Sequence, residues 1–124
     1  MEKKNNILSG FLCLLILIIS SQNEWAQPLS AKFHHLTVED GLPDGTIRAL
    51  AQDKYGFMWI GTHAGVCRYD GHQIIQHKRK YGTVNSIADD LVNKLLITGD
   101  SVWIGTTNGL SLYLINKDTF ITYS

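Results

Sequence analysis

The residues best suited to hold a metal or move a proton in this 124-residue chain are its five histidines, His34, His35, His63, His72 and His77. A zinc site requires ligands that converge from recognisable intervals. His34 and His35 are adjacent, which on a strand sends them to opposite faces. His63, His72 and His77 fall in or near turns with no common spacing, so no metal site is expected. The carboxylates Asp40, Asp44, Asp53, Asp70, Asp89 and Asp100 lie beside glycine or in loops. Side-chain to backbone hydrogen bonds that shape turns account for them there, and nothing pairs them for acid–base catalysis. No GxSxG nucleophile elbow occurs. Cys13 lies in an apolar leader, which leaves Cys67 alone in the body, without a disulfide partner or a CxxC motif. The basic run "HKRK", His77 to Lys80, reads as a solvated loop, with phosphate binding as the minor alternative. The expectation is therefore no catalytic residue, no metal and no cofactor.

Bulk charge narrows the partners further. Formal net charge is zero, and from Gln27 onward nine Lys/Arg balance nine Asp/Glu. No global field favours nucleic acid or an anionic membrane. Aromatic and β-branched residues are plentiful and prolines number two, the composition of a folded body.

The elements that would position any site come from an internal repeat. "MWIGTHAGVCRYDG" from Met58 and "VWIGTTNGLSLYLI" from Val102 place Trp59, Ile60, Gly61, Thr62, Gly65 and Tyr69 on Trp103, Ile104, Gly105, Thr106, Gly109 and Tyr113, 44 residues on. Upstream, Leu42, Asp44, Ile47, Leu50 and Asp53 match Ile87, Asp89, Val92, Leu95 and Thr98 at an offset of 45. The lost residue falls between Asp53 and Trp59, in a turn, where a length change is best tolerated. Each unit reads as four short strands: Thr46–Gln52, Gly56–Thr62, "GVCRYD" and Gln73–Lys78, then Leu91–Ile97, Ser101–Thr106, "GLSLYLI" and Thr119–Ser124. Asn108-Gly109 signals a tight hairpin of type I′, in which both residues take positive φ. Lys32–Leu42 precedes the first unit as a lone outer strand. Four strands in about 44 residues is the size of one propeller blade.

The fold class expected is thus all-β: a partial β-propeller of two four-stranded blades plus one early outer strand, preceded by a signal-peptide helix. Residues 1–26 form the signal peptide, 27–45 the outer strand and linker, 46–86 the first blade and 87–124 the second. Lys3 and Lys4 precede an uncharged apolar run from Ile7 to Ser20, shorter than the roughly 20 residues that span a bilayer, and Ala26 is the preferred residue before cleavage. Trp59 and Trp103 are expected to pack between blades rather than to stack on a sugar. Gly61 and Gly105 mark close backbone approach, and Tyr69 and Tyr113 pack alike. Two blades cannot close a ring, and a repeat unit relies on its neighbours to bury its apolar face. The segment is therefore expected to be an incomplete propeller.

The strings "DGLPDGTIRALAQDKYGFMWIGTHAGVCRYDG" and "NSIADDLVNKLLITGDSVWIGTTNGLSLY" resemble the two-component regulator propeller repeat, over roughly Phe33 to Ser124. The resemblance implies the amino-terminal periplasmic sensor region of a Bacteroidetes-type hybrid histidine kinase, anchored in the inner membrane and responding to oligosaccharides. It implies as partners an oligosaccharide ligand, the remaining blades and, in the parent, a second copy. The family's ligand contacts lie in variable blade loops, which makes His63, Ala64, Thr107 and Asn108 the candidate contacts. The chain has no kinase box, nucleotide-binding motif or receiver aspartate of its own. The alternatives are a piece of a secreted lyase-like propeller enzyme or a nonfunctional remnant.

Overall fold

The computed structural model describes residues 2–19 and 30–124, which divide into two units, Met1–Phe33 and His34–Ser124. In the first, the apolar run forms helix α1, Glu2–Ile19. From Ile7 to Ile18 Leu, Ile and Phe dominate it and are exposed. Among the described residues no helix is long and apolar enough to cross a membrane. The expected cut after Ala26 lies outside the described residues.

The second unit is a partial β-propeller. Strands β1 (Ile47–Gln52), β2 (Met58–Thr62), β3 (Gly65–Tyr69) and β4 (Ile74–His77) form one antiparallel sheet in chain order. Strands β5 (Val92–Thr98), β6 (Ser101–Thr106), β7 (Gly109–Leu114) and β8 (Thr119–Tyr123) form the other. A 3-10 turn, Ile115–Lys117, links β7 to β8 and ends on Asp118 at φ 47°. The ladders repeat as the sequence does. Ala51 pairs with Trp59 and Trp59 with Arg68, while Leu96 pairs with Trp103 and Trp103 with Leu112. Each inner strand carries an irregularity at its start, between Ile47 and Ala49 and between Val92 and Lys94.

The sheets stack unlike face to unlike face. Alternation along β2 sends Trp59 to one side and Ile60 to the other. The Trp59 and Val66 side of the first sheet meets the Val102, Ile104 and Tyr113 side of the second, with Ile87 and Val92 in the same apolar cluster. The opposite side of the first sheet, Ile60 and Cys67, is closed by Leu42 and Leu36. Hence β2 is buried on both faces from Trp59 to Thr62, whereas β6 alternates buried with half-buried residues. The second sheet's Trp103 side remains open. Leu96, Trp103, Leu112 and Ile121 lie opposite one another across its four strands, and Leu96 is 61% exposed.

Three expectations change. Lys32–Leu42 forms no strand: residues 30–37 have no ladder partner, and Val38–Gly41 turn under a hydrogen bond from Leu42 N–H to the Thr37 carbonyl. An outer strand needs a sheet lacking one, and both sheets already have four strands. The segment instead lays Leu36 and Leu42 on the first sheet. Second, the β6–β7 turn is not type I′. Among the described residues Asp118 alone has positive φ without being glycine, so Thr107 and Asn108 keep negative φ and only Gly109 is positive, at 140°. Third, Trp103 is half-buried where Trp59 is fully buried, because no sheet covers it.

Candidate functional site

The β2–β3 turn (His63-Ala64) and the β6–β7 turn (Thr107-Asn108) lie at the same end of the two sheets, both tied to the connection from β4 to β5. Gly65 N–H donates to the Asp90 carbonyl at 2.7 Å and Thr107 N–H to the Leu91 carbonyl at 3.1 Å. The Asn108 amide donates to Asp89 at 2.9 Å. The threonine of each Trp-Ile-Gly-Thr string closes its own hairpin: Thr62 and Thr106 hydroxyls donate to the carbonyls of Gly65 and Gly109 at 2.8 and 2.7 Å. Gly65 and Gly109 have φ of 123° and 140°, and a Cβ there would lie 2.8 Å from the His77 carbonyl and 2.6 Å from the Tyr123 carbonyl. The repeated Gly and Thr are thus hairpin parts. Of the candidate ligand contacts, His63 and Thr107 are exposed at this end, Ala64 is half-buried, and Asn108 is engaged as a brace to Asp89.

The carboxylates do what turn formers do. Asp44 accepts the Thr46 N–H at 2.7 Å, and Asp70 accepts those of His72 and Gln73 at 2.7 and 2.6 Å. The bonds from Gln73 and His72 hold the Asp70 carboxyl below its ordinary range. Asp53 does more than the sequence signals. It is buried, takes N–H bonds from Tyr55 and Phe57, and accepts the Trp59 indole N–H at 2.9 Å. Its counterpart, Thr98, offers Trp103 no carboxylate. Asp100 bridges the sheets, receiving the Tyr55 hydroxyl at 2.5 Å and the Lys54 ammonium at 2.9 Å. Tyr69 and Tyr113 pack differently in depth: Tyr69 is half-buried and donates to the Gly71 carbonyl, while Tyr113 is buried and donates to Asp118 at 2.6 Å. Burial, followed by that bond, pushes Tyr113 up to about 12. Cys67 is buried, which pushes its thiol up to about 11 and keeps it protonated and inert.

His77, which the sequence places both at the end of the fourth strand and at the head of the basic run, is half-buried. Its ring stacks on Trp59 at 6.0 Å and touches Tyr113 at 5.3 Å and Phe120 at 5.2 Å, at the junction of the two sheets. Its Nε2 is buried with no hydrogen-bond partner. Burial lowers its pKa, opposed by Asp118 and reinforced by Arg68 and Lys80. Above the ordinary histidine value, near 6.5, the ring is neutral folded or unfolded. As pH falls through that value the unfolded chain takes a proton that the folded chain resists, so stability declines until the folded pKa is reached. Urea titrations at pH 7.5 and 5 should show a smaller acid loss for His77→Gln than for the unmodified chain. Equal losses would place the imidazole in water.

Two cavities indent the described surface. His34, His35, His72, Asp40 and Tyr69 border one of 340 Å³. The adjacent pair His34-His35 thus shares a cavity, a departure from the opposite faces expected of a strand. Among the described residues no three His, Cys, Asp or Glu side chains converge to hold a metal. The larger, 470 Å³, opens between residues 79–88 and β8.

Three likenesses accord with this geometry. Residues 41–64 match the family described as two component regulator propeller. A protein of Formosa agariphila named histidine kinase P4 is 38% identical over 47 residues, covering 38% of this chain and 3% of its own length. The crystal structure of the extracellular domain of a putative hybrid two component system from B. thetaiotaomicron superposes with a TM-score of 0.66 at 28% identity, over 73% of this chain and 13% of that one. The chain therefore spans a small part of each relative.

Proposed function

For a chain built of two-component regulator propeller repeats, we propose a role as the opening blades of an exported sensor in a hybrid two-component system, detecting oligosaccharides outside the inner membrane. One observation carries this reading: the way Trp59 is covered states what must cover Trp103. The first sheet's Trp side is sealed by the Ile104 and Tyr113 side of the next repeat. The second sheet presents the same kind of Trp side, open. Unlike-face stacking continues until a ring closes, so the cover for Trp103 is a third repeat of the same kind. Both relatives that the chain resembles are signalling proteins by name, which supports a sensor over a lyase. In a propeller the blades position the loops at one end, and here that end carries His63 and Thr107. Catalysis would belong to kinase modules further along the parent, and pairing of two parents would carry the signal.

The test uses the longer protein that contains this segment. Its thermal unfolding is followed against a panel of oligosaccharides, in parallel with autophosphorylation in membrane vesicles. A sugar that raises the melting temperature and changes phosphorylation is the expected result. A sugar that is instead cleaved by the protein would favour the lyase reading. Changing His63 or Thr107 to alanine should leave melting nearly unmoved, within about 0.5 kcal/mol, as exposed turn residues do; a larger loss would show that the turn is structural.

A further inference from the structure

We propose that the 470 Å³ cleft between residues 79–88 and β8 is a binding site for an acidic sugar, a ring that carries a carboxylate or sulfate. The basic run left without a role by the propeller supplies its charge. His77 leaves that run for the interior, whereas Arg79 and Lys80 turn to border the cleft. No acidic side chain borders it. Among the described residues the ion pair formed is Lys54 with Asp100, so neither Arg79 nor Lys80 has a carboxylate within pairing distance. The Asp90 carboxylate is engaged by the Arg79 backbone N–H, at 2.6 Å, and forms no ion pair with the Arg79 side chain.

The cleft is also built to hold its shape. The Phe120 N–H donates to Asn85 at 2.7 Å and the Thr122 hydroxyl to the Ser86 carbonyl at 2.6 Å, which fastens the loop to the outer strand. The Arg79 guanidinium lies over the Tyr81 ring, 4.6 Å from its centroid, so the cation and an aromatic face are presented together. Ile87 and Phe120 supply apolar wall. A cleft of this size lined by apolar and aromatic surface with a few polar groups suits a small ligand. A guanidinium recognises a carboxylate or sulfate by paired charge-assisted hydrogen bonds, and low-dielectric concave walls strengthen that attraction. A ring whose C–H face lies on the aromatic side and whose acidic group meets Arg79 and Lys80 satisfies both features. That the ring is a sugar rests on the sensing reading above; that it is acidic rests on the two unpaired cations.

Calorimetric titration of the full chain with a glucuronate-containing disaccharide, its uncharged counterpart and inorganic sulfate tests this. The acidic disaccharide should bind, more weakly as salt is raised, and tighter than sulfate. The double variant Arg79→Gln/Lys80→Gln should weaken it by at least about tenfold, with an unchanged far-UV circular dichroism spectrum and melting curve as the check on folding, while Arg79→Lys/Lys80→Arg keeps most of the affinity. Absence of binding, or binding that the double glutamine variant leaves intact, overturns the proposal. Binding of the uncharged disaccharide alone overturns it too and leaves oligosaccharide sensing standing. Sulfate bound as tightly as the disaccharide, with no added contribution from the ring, removes the sugar and the sensing support together.

Discussion

Replacing Trp59 with alanine should lower the unfolding free energy by about 3–5 kcal/mol, the range for truncating a large core aromatic, while Trp103→Ala should lower it by about 1 kcal/mol. The two tryptophans hold identical places in the repeat and identical ladder positions. They differ in what stands against them. Trp59 is fully buried against Tyr113 at 5.2 Å and donates its indole N–H to the buried Asp53. Trp59→Ala therefore removes the packing and strips a buried carboxylate of a donor, and an unmatched buried acceptor adds its own penalty. Trp103 has one side open and no such acceptor at Thr98. Denaturant titration monitored by far-UV circular dichroism measures both changes on the same chain. Equal costs would mean that the second sheet's Trp side is already covered. Within a longer protein that supplies a third blade, the two costs should converge.

The second large effect concerns the glycines beside those tryptophans. Gly61→Ala should cost about 1–3 kcal/mol, as overpacking a filled interior does, and Gly105→Ala should change stability by less than about 1 kcal/mol in either direction. A Cβ on Gly61 would lie 2.6 Å from Val92 Cγ1 and 3.3 Å from its Cβ, and Val92 is fully buried between the sheets. β-branching leaves Val92 little freedom to turn aside, so the sheets must part or the backbone must shift. At Gly105 the nearest atoms are Lys94 Cβ at 3.6 Å and its carbonyl at 3.8 Å, ordinary contacts on an open face. Melting curves of the two variants decide it. A neutral Gly61→Ala would deny that the sheets approach as closely as drawn.

The sequence made the repeat legible because blade architecture writes itself locally. Period-two alternation, hairpin punctuation and a one-residue length change confined to a turn all lie within a single unit. The Ala51–Trp59 and Leu96–Trp103 pairs reproduce the shift from 45 to 44. What the sequence concealed are properties of the stack. Trp59 and Trp103 read alike, and only the order of sheets decides that one is sealed. His77 falls within the expected strand Gln73–Lys78 and does end β4, but its place in the basic run hides that the neighbouring sheet's Tyr113 and Phe120 pack against it. Asp53 reads as one more turn aspartate; its bond to the Trp59 indole needs the hairpin to fold back across six residues. Lys32–Leu42 reads as a strand from its place before the first unit, but position in the repeat does not state whether a ladder partner exists. The Thr107-Asn108-Gly109 turn misled for a nearby reason. Glycine is demanded there by the Tyr123 carbonyl 2.6 Å from where a Cβ would sit, and not by a mirror-image turn. For the candidate site the pattern gave the end of the sheets and not its occupant, because His63 and Thr107 are exposed and carry no recognisable ligand spacing.

Proton–proton Overhauser contacts in the full chain test the unlike-face stacking most directly. The Trp59 ring should show strong contacts to the Tyr113 ring across the sheet boundary, and the Trp103 ring should show contacts only to Leu96 and Leu112 within its own sheet. A Trp103 ring in contact with the first sheet, or a Trp59 ring with no contact to Tyr113, would contradict the stacking and with it the third repeat that the open face implies.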